Sequence, residues 1–147
     1  MSESSIKEAL GEYLKQVRDI DLDHIFIDEP DTAPTAEQCP CLVVTLPRIT
    51  PSMPTHGVVK SIYHFKILYL YAPYELAQPQ TATTAISSYL TNMWDVLFSV
   101  FTLGANANTQ DFDGDVTRPL VRFREMWFWG LEIPWRVEDR ETVTVTP

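Results

Sequence analysis

Fifteen consecutive residues, Val58 to Ala72, alternate aromatic or β-branched side chains with others and contain neither glycine nor proline. Successive side chains of a strand point to opposite faces. Val59, Ser61, Tyr63, Phe65, Ile67, Tyr69 and Tyr71 therefore share one face, and Val58, Lys60, Ile62, His64, Lys66, Leu68 and Leu70 the other. Ordinary strands run to roughly 5–6 residues. One of this length can serve its own core near one end and reach a neighbouring subunit with the other.

The flanking sequence supplies elements to pack on it. Ser5 to Val17 reads as a helix, with Ser5 and Glu8 as a capping box and Ile6, Leu10, Tyr13, Leu14 and Val17 as one apolar stripe; Gly11 weakens it. His24 to Ile27 reads as a short strand, and Cys41 to Leu46 as a β-branched strand closed by Pro47. Pro47, Pro51 and Pro54 then exclude a helix or a central strand up to Gly57, which predicts a stiff hairpin arm displaying Ile49 and Met53. A second helix is expected from about Thr81 to Gly104. Threonines 81, 83 and 84 are candidate caps, and Ile86, Leu90, Met93, Trp94, Leu97 and Phe101 form its stripe. Ala105 to Arg118 is polar and turn-rich. Leu120 to Glu125 and Met126 to Val137 read as a closing pair of strands, with Gly130 or Pro134 at a bulge or edge.

Together these elements predict an α+β domain: a mixed or antiparallel sheet with a long β-hairpin, packed by an N-terminal helix and a long central helix. Residues 1–137 form this single domain, and Glu138 to Pro147, with Val143 and Val145 alternating with threonines, form an extended tail. The chain has 147 residues, enough for one real core. No apolar run is long enough to span a bilayer, and Met-Ser-Glu-Ser-Ser lacks the basic and apolar regions of a signal peptide, so a soluble protein made in the cytoplasm is expected. A net charge of −9, with six acids between Asp19 and Asp31, argues against a nucleic-acid-binding surface, which rests on lysine and arginine.

Chemistry-bearing patterns are sparse. Cys39 and Cys41 are too close for the usual zinc spacing and lack a second ligand pair; Cys41 reads as a small apolar residue opening a strand. Asp111-Phe112-Asp113-Gly114-Asp115 resembles a calcium loop but lacks the glutamate at position twelve, so a solvated turn is expected. His24, His56 and His64 form no metal-ligand spacing, and neither a nucleophile-elbow serine nor a phosphate-binding glycine loop occurs. No catalytic residue, metal or cofactor is expected.

The order of elements, with the Ile6–Leu10 helix, the strand Leu42-Val43-Val44-Thr45-Leu46 ending in Pro47, the strand Tyr63 to Tyr71 and the helix through Trp94 and Leu97, resembles the tail terminator (tail completion) proteins of long-tailed bacteriophages. The resemblance covers nearly the whole chain as architecture and texture. It implies a structural virion protein, synthesised in the host cytoplasm, that assembles as a homohexameric ring on the last ring of the tail tube. Such a ring stops tube polymerisation, offers a docking surface to the head connector, and lets DNA pass through its channel without specific binding. Its partners would be copies of itself, the tube protein and the connector protein.

Within that frame the arm, with Ile49, Met53 and His56, is expected to meet the tube, and the ends of the long strand, from Val58, Val59 and Lys60 onward, to meet neighbouring copies; Val143 and Val145 are a further interface candidate. Two alternatives share the same features. One is a head-completion or connector-adaptor protein of the neck. The other is a small cytoplasmic enzyme or ligand-binding domain whose pocket is lined by Trp127, Trp129, Trp135 and the tyrosines.

Overall fold

In the computed structural model, residues 3–14, 24–27, 32–98 and 109–142 are described. In chain order they form helix α1 (Glu3–Leu14), strand β1 (Ile25–Phe26), strands β2 (Cys41–Thr55) and β3 (Val58–Pro73), helix α2 (Pro79–Phe98), and strands β4 (Thr109–Phe112), β5 (Leu120–Phe123) and β6 (Met126–Thr142). One mixed sheet results, in the order β1-β2-β3-β6-β4, with β5 also on β6. β1 runs parallel to β2; the other pairings are antiparallel.

This overturns the expected α+β class. Among the described residues the structure is mostly β, 53% strand against 28% helix, with no long central helix. The physical reason lies in the prolines. β2 does not stop at Pro47 but continues to Thr55, because its pairing with β3 slips by one residue between Thr45 and Arg48 and again between Ser52 and Thr55. Pro47 and Pro54 fall inside those two slips, where an extra residue is accommodated and a missing N–H breaks no ladder bond. The expected arm is thus a paired continuation of the sheet.

The turn at its tip is His56-Gly57, where Gly57 takes φ +82°, a left-handed conformation that favours glycine. β6 likewise outruns its expected end at Val137. Glu138 to Thr142 pair with Ile62 to Val58, so the segment expected as a tail is strand, paired with β3, as far as Thr142.

β3 pairs with β6 without interruption from Val58↔Thr142 to Leu70↔Gly130, and one extra residue, Tyr71, precedes the resumption at Ala72↔Trp129. A Cβ on Gly130 would stand on the carbonyl oxygen of Tyr69, so this close approach needs glycine. On the other edge of β6, β4 and β5 behave as one broken strand. Asp113 N–H donates to the Pro134 carbonyl (2.9 Å) and Thr117 exchanges two hydrogen bonds with Glu132 (2.9 and 3.0 Å). The segment expected as a solvated turn therefore includes strand residues Asp111 and Phe112 and the bulge that follows.

The faces divide as alternation predicts. Tyr63, Phe65, Ile67 and Tyr69 of β3 join Leu131, Ile133, Trp135 and Val137 of β6, Leu42 and Val44 of β2, and Ile6, Leu10, Leu14, Ala82, Ile86 and Tyr89 of the helices. Each fully buried aliphatic or aromatic side chain contributes roughly 1.5–3 kcal/mol. Gly11 has a packing reason, since a Cβ there would overlap the Ile27 side chain. Thr83 and Thr84, expected as caps, instead donate to the carbonyls of Pro79 and Gln80, four residues back in α2 (2.6 and 3.0 Å). The side chains of Met93, Trp94 and Leu97, and residues 99–108 with Phe101, lie outside the described set, as do residues 15–23 with Val17.

The opposite face is apolar only in its first half. There Cys41, Val43, Leu68, Leu70, Val121, Phe123 and Phe128 form a second core. Cys41 is buried at the start of β2, and both cysteines are free thiols.

Candidate functional site

Among the described residues, the register places the exposed large apolar side chains at two opposite ends of the sheet. At the tip, where β2 turns into β3, Ile49 is 41% and Met53 64% exposed. Ile49 stands opposite Tyr63, on the helix-covered face, and Met53 lies in the second slip of β2. At the base, where β3 ends and β6 begins, Tyr74 (50%), Leu76 (66%), Met126 (43%) and Trp127 (52%) are exposed together.

The base residues surround a groove of about 550 Å³ between three segments: 33–36, 73–76 and 125–127. Each wall is fixed by its own local chemistry. The Trp129 indole N–H donates to the Tyr74 carbonyl (3.1 Å), and the two rings lie 5.4 Å apart, which holds the turn after β3 against the sheet. The Thr35 N–H donates to the Gln38 side-chain oxygen (2.9 Å), closing the single 3-10 turn Ala36–Gln38. The third wall grows from a two-residue hairpin turn at Arg124-Glu125, where both residues have positive φ (51° and 65°). That is type I′ geometry, which usually selects Asn-Gly. Among the described residues the groove is lined by two carboxylates, Glu75 and Glu125, and by no basic side chain. Arg122 and Arg124 adjoin it but face aromatic rings, Trp127 at 6.0 Å and Phe123 at 5.9 Å.

The other half of the open face carries polar pairs. His64 Nδ1 lies 2.6 Å from Asp113 Oδ2, Thr50 Oγ1 is 2.9 Å from His64 Nε2, and Arg48 Nη2 is 3.3 Å from His64 and 3.9 Å from Asp113. Asp113 reaches His64 across Pro134, so one cluster ties β2, β3 and the bulge after β4 together over β6. Lys60 and Arg140 share Glu138 (3.6 and 3.1 Å), and Lys66 meets Glu132 (3.6 Å). The series hydroxyl, imidazole, carboxylate has the connectivity of a nucleophile relay. Thr50 is not among the residues that line the adjoining depression of about 430 Å³, and the cluster links β2, β3 and the segment after β4.

The expected interface residues are thus spread over one end of the sheet. Ile49, Met53 and His56 are exposed at the tip. Val58, Val59 and Lys60 are half-buried, paired with Thr142, Glu141 and Arg140 of β6, and Lys60 is held in an ion pair. Val143 and Val145 lie outside the described residues. Among the described residues, no strand pairs the outer edge of β2 beyond Val43. The pocket expected from Trp127, Trp129 and Trp135 does not form as such. Trp129 and Trp135 are buried in the core, and only Trp127 lines the groove. Sequence reasoning missed the groove because its walls come from three distant segments.

No group of three His, Cys, Asp or Glu among the described residues is disposed to hold a metal ion, and no described helix is long and apolar enough to cross a membrane. Neither a protein-family model nor a curated protein matches the chain.

Proposed function

We propose that this chain is a structural assembly protein of the tail terminator type. Copies of it form a ring, hexameric by that resemblance, that caps the tail tube of a long-tailed phage, ends its polymerisation and receives the head connector, with DNA passing through unbound. The observation that carries this reading is the β2–β3 hairpin, whose outer strand edge has no described partner beyond Val43 and whose tip exposes Ile49 and Met53. An unpaired edge is a template for another chain, and a protein that exposes a long one must control what joins it. Pro47, Pro51 and Pro54 supply that control, because each removes a donor from the edge and blocks indefinite strand addition.

A ring closes when the rotation between copies completes a circle, and a tube grows while a compatible face stays free. A terminator needs one face that fits the tube and another that does not repeat it. The tip and the base are such unlike ends. The reading requires no catalytic group, metal or cofactor.

The test is negative-stain electron microscopy of the purified protein mixed with tubes assembled from the tube protein. Rings at one tube end with uniform tube lengths are expected. Uncapped tubes of broad length, with binding instead to portal-attached proteins, would move the chain to the head side of the neck as a completion or adaptor protein.

A further inference from the structure

The chain's two cysteines flank Pro40 and differ in setting. Cys41 opens β2 fully buried, in the second core with Val43 and Leu70. Cys39 follows the 3-10 turn Ala36–Gln38, its N–H donating to the Ala36 carbonyl (3.4 Å), and is only half-buried. It lines an open pocket of about 380 Å³ together with Ala36, Tyr71, Leu76 and Thr81. The two thiols touch, the Cys41 S–H donating a hydrogen bond to the Cys39 sulfur. That bond holds the Cys39 thiol below its ordinary value of 9.0 against the opposing effect of burial, whereas the same bond and burial hold Cys41 well above it. One sulfur is thus a nucleophile open to a pocket, and the other keeps its proton in contact with it.

From this placement we infer that Cys39 and Cys41 form a thiol–disulfide exchange site, which takes a low-molecular-weight disulfide in the pocket beside Cys39 and passes through a mixed disulfide to a Cys39–Cys41 bridge. The inference is independent of the ring reading. In the first step the Cys39 thiolate attacks one sulfur of the small disulfide, a new S–S bond forms, the old one breaks and one thiolate leaves. In the second step the Cys41 sulfur attacks that of Cys39, and its proton goes to the second departing thiolate. The protein dithiol is oxidised by two electrons and the small disulfide is reduced to two thiols. A bridge between residues two apart closes a small ring, and strained bridges are the readily reduced kind, so excess thiol returns the pair to the dithiol.

The order of attack gives each cysteine its own signature. The full-length chain is reduced, freed of reductant and treated with glutathione disulfide, and its intact mass is measured. The wild type is expected to lose two hydrogens and retain no glutathione. Cys41→Ala keeps the nucleophile and lacks the resolving thiol, so it should gain one glutathionyl group and hold it. Cys39→Ser should stay at its starting mass. Circular dichroism checks the fold of both variants. A measurement on the wild type alone covers the case in which Cys41→Ala does not fold: limiting iodoacetamide on the reduced chain should alkylate Cys39 and spare Cys41, with the position read by fragment-ion mass spectrometry.

A wild type that does not react, that keeps its glutathionyl group, or that bridges to another chain overturns the exchange site. Alkylation of the two thiols at equal rates overturns it as well.

Discussion

The base half and the tip half of this sheet are made of the same three strands but differ in how their second face is finished. At the base, Cys41, Val43, Leu68, Leu70 and Phe128 give that face a core of its own, so the strands are covered on both sides. Toward the tip the same strands present Lys60, His64, Lys66, Glu132 and Glu138, joined in pairs across the surface. A sheet buried on both faces draws stability from area removed from water, whereas exposed ion pairs add little. The base should therefore hold the fold, and the tip should be free to vary in the service of contact.

The largest expected effect sets that comparison directly. Phe128→Ala, at the fully buried base, should cost about 3–5 kcal/mol, and Ile62→Ala, half-buried toward the tip, about 1 kcal/mol. Urea unfolding measures both; equal losses would mean that the halves are not energetically distinct.

The next effect is smaller and depends on pH. The Tyr89 ring stacks on Tyr69 at 3.8 Å, and its hydroxyl has no hydrogen-bond partner among the described residues. Burial, with Tyr69 and Cys41 adding to it, holds this phenol well above its ordinary value of 10.0. A folded-state value raised in this way means the unfolded chain ionises first. Stability is therefore intact below pH 10 and falls as pH rises beyond it, at about 1.4 kcal/mol per unit. Tyr89→Phe should remove that slope and, by deleting an unsatisfied buried hydroxyl, raise stability at neutral pH by about 1 kcal/mol. Denaturant titrations at pH 7 and above pH 10 provide the check, and an unchanged slope in the variant would assign the alkaline loss elsewhere.

Asp113→Ala should cost about 1–2 kcal/mol, since it removes a charged, partly buried partner of His64. Hydrogen exchange should show faster opening of residues 48–52 without a change at the base. Last comes the Lys66–Glu132 pair, whose lysine is 50% exposed. A double-mutant cycle should return a coupling of no more than about 0.5 kcal/mol, and a larger value would give the polar face a greater share in the fold.

Much of the sheet was legible in the sequence where local pattern and tertiary environment agree. The span and faces of β3 follow from its alternation, because no proline or glycine interrupts it. The full length of β2 is not legible, because Pro47 and Pro54 signal a break unless β2 carries an extra residue at each, and only the register with β3 reveals that. The same holds for Glu138 to Thr142: their polar side chains carry no core signature, yet β3 continues opposite them and pairs their backbone. Trp127 shares the odd-numbered parity of Trp129 and Trp135 but lies at the sheet's end beside the Arg124-Glu125 turn, so parity alone assigns it to the core. The groove has no local signal at all, since its walls are brought together only by folding.

The seam between β3 and β6 has a kinetic meaning as well. The strands on either side of it form from chain neighbours, β2 with β3 through His56-Gly57 and β5 with β6 through Arg124-Glu125, so each hairpin can close on its own in microseconds. The thirteen-pair seam from Val58↔Thr142 to Leu70↔Gly130 joins residues at least sixty positions apart and must wait for the two halves to meet. Maturation of the nascent protein is then a meeting of two ready-made ribbons, slowed by the distance between them along the chain. Until they meet, β3 offers an unprotected edge, and this interval, more than the finished hairpin, is when the chain is most exposed to pairing with the wrong partner.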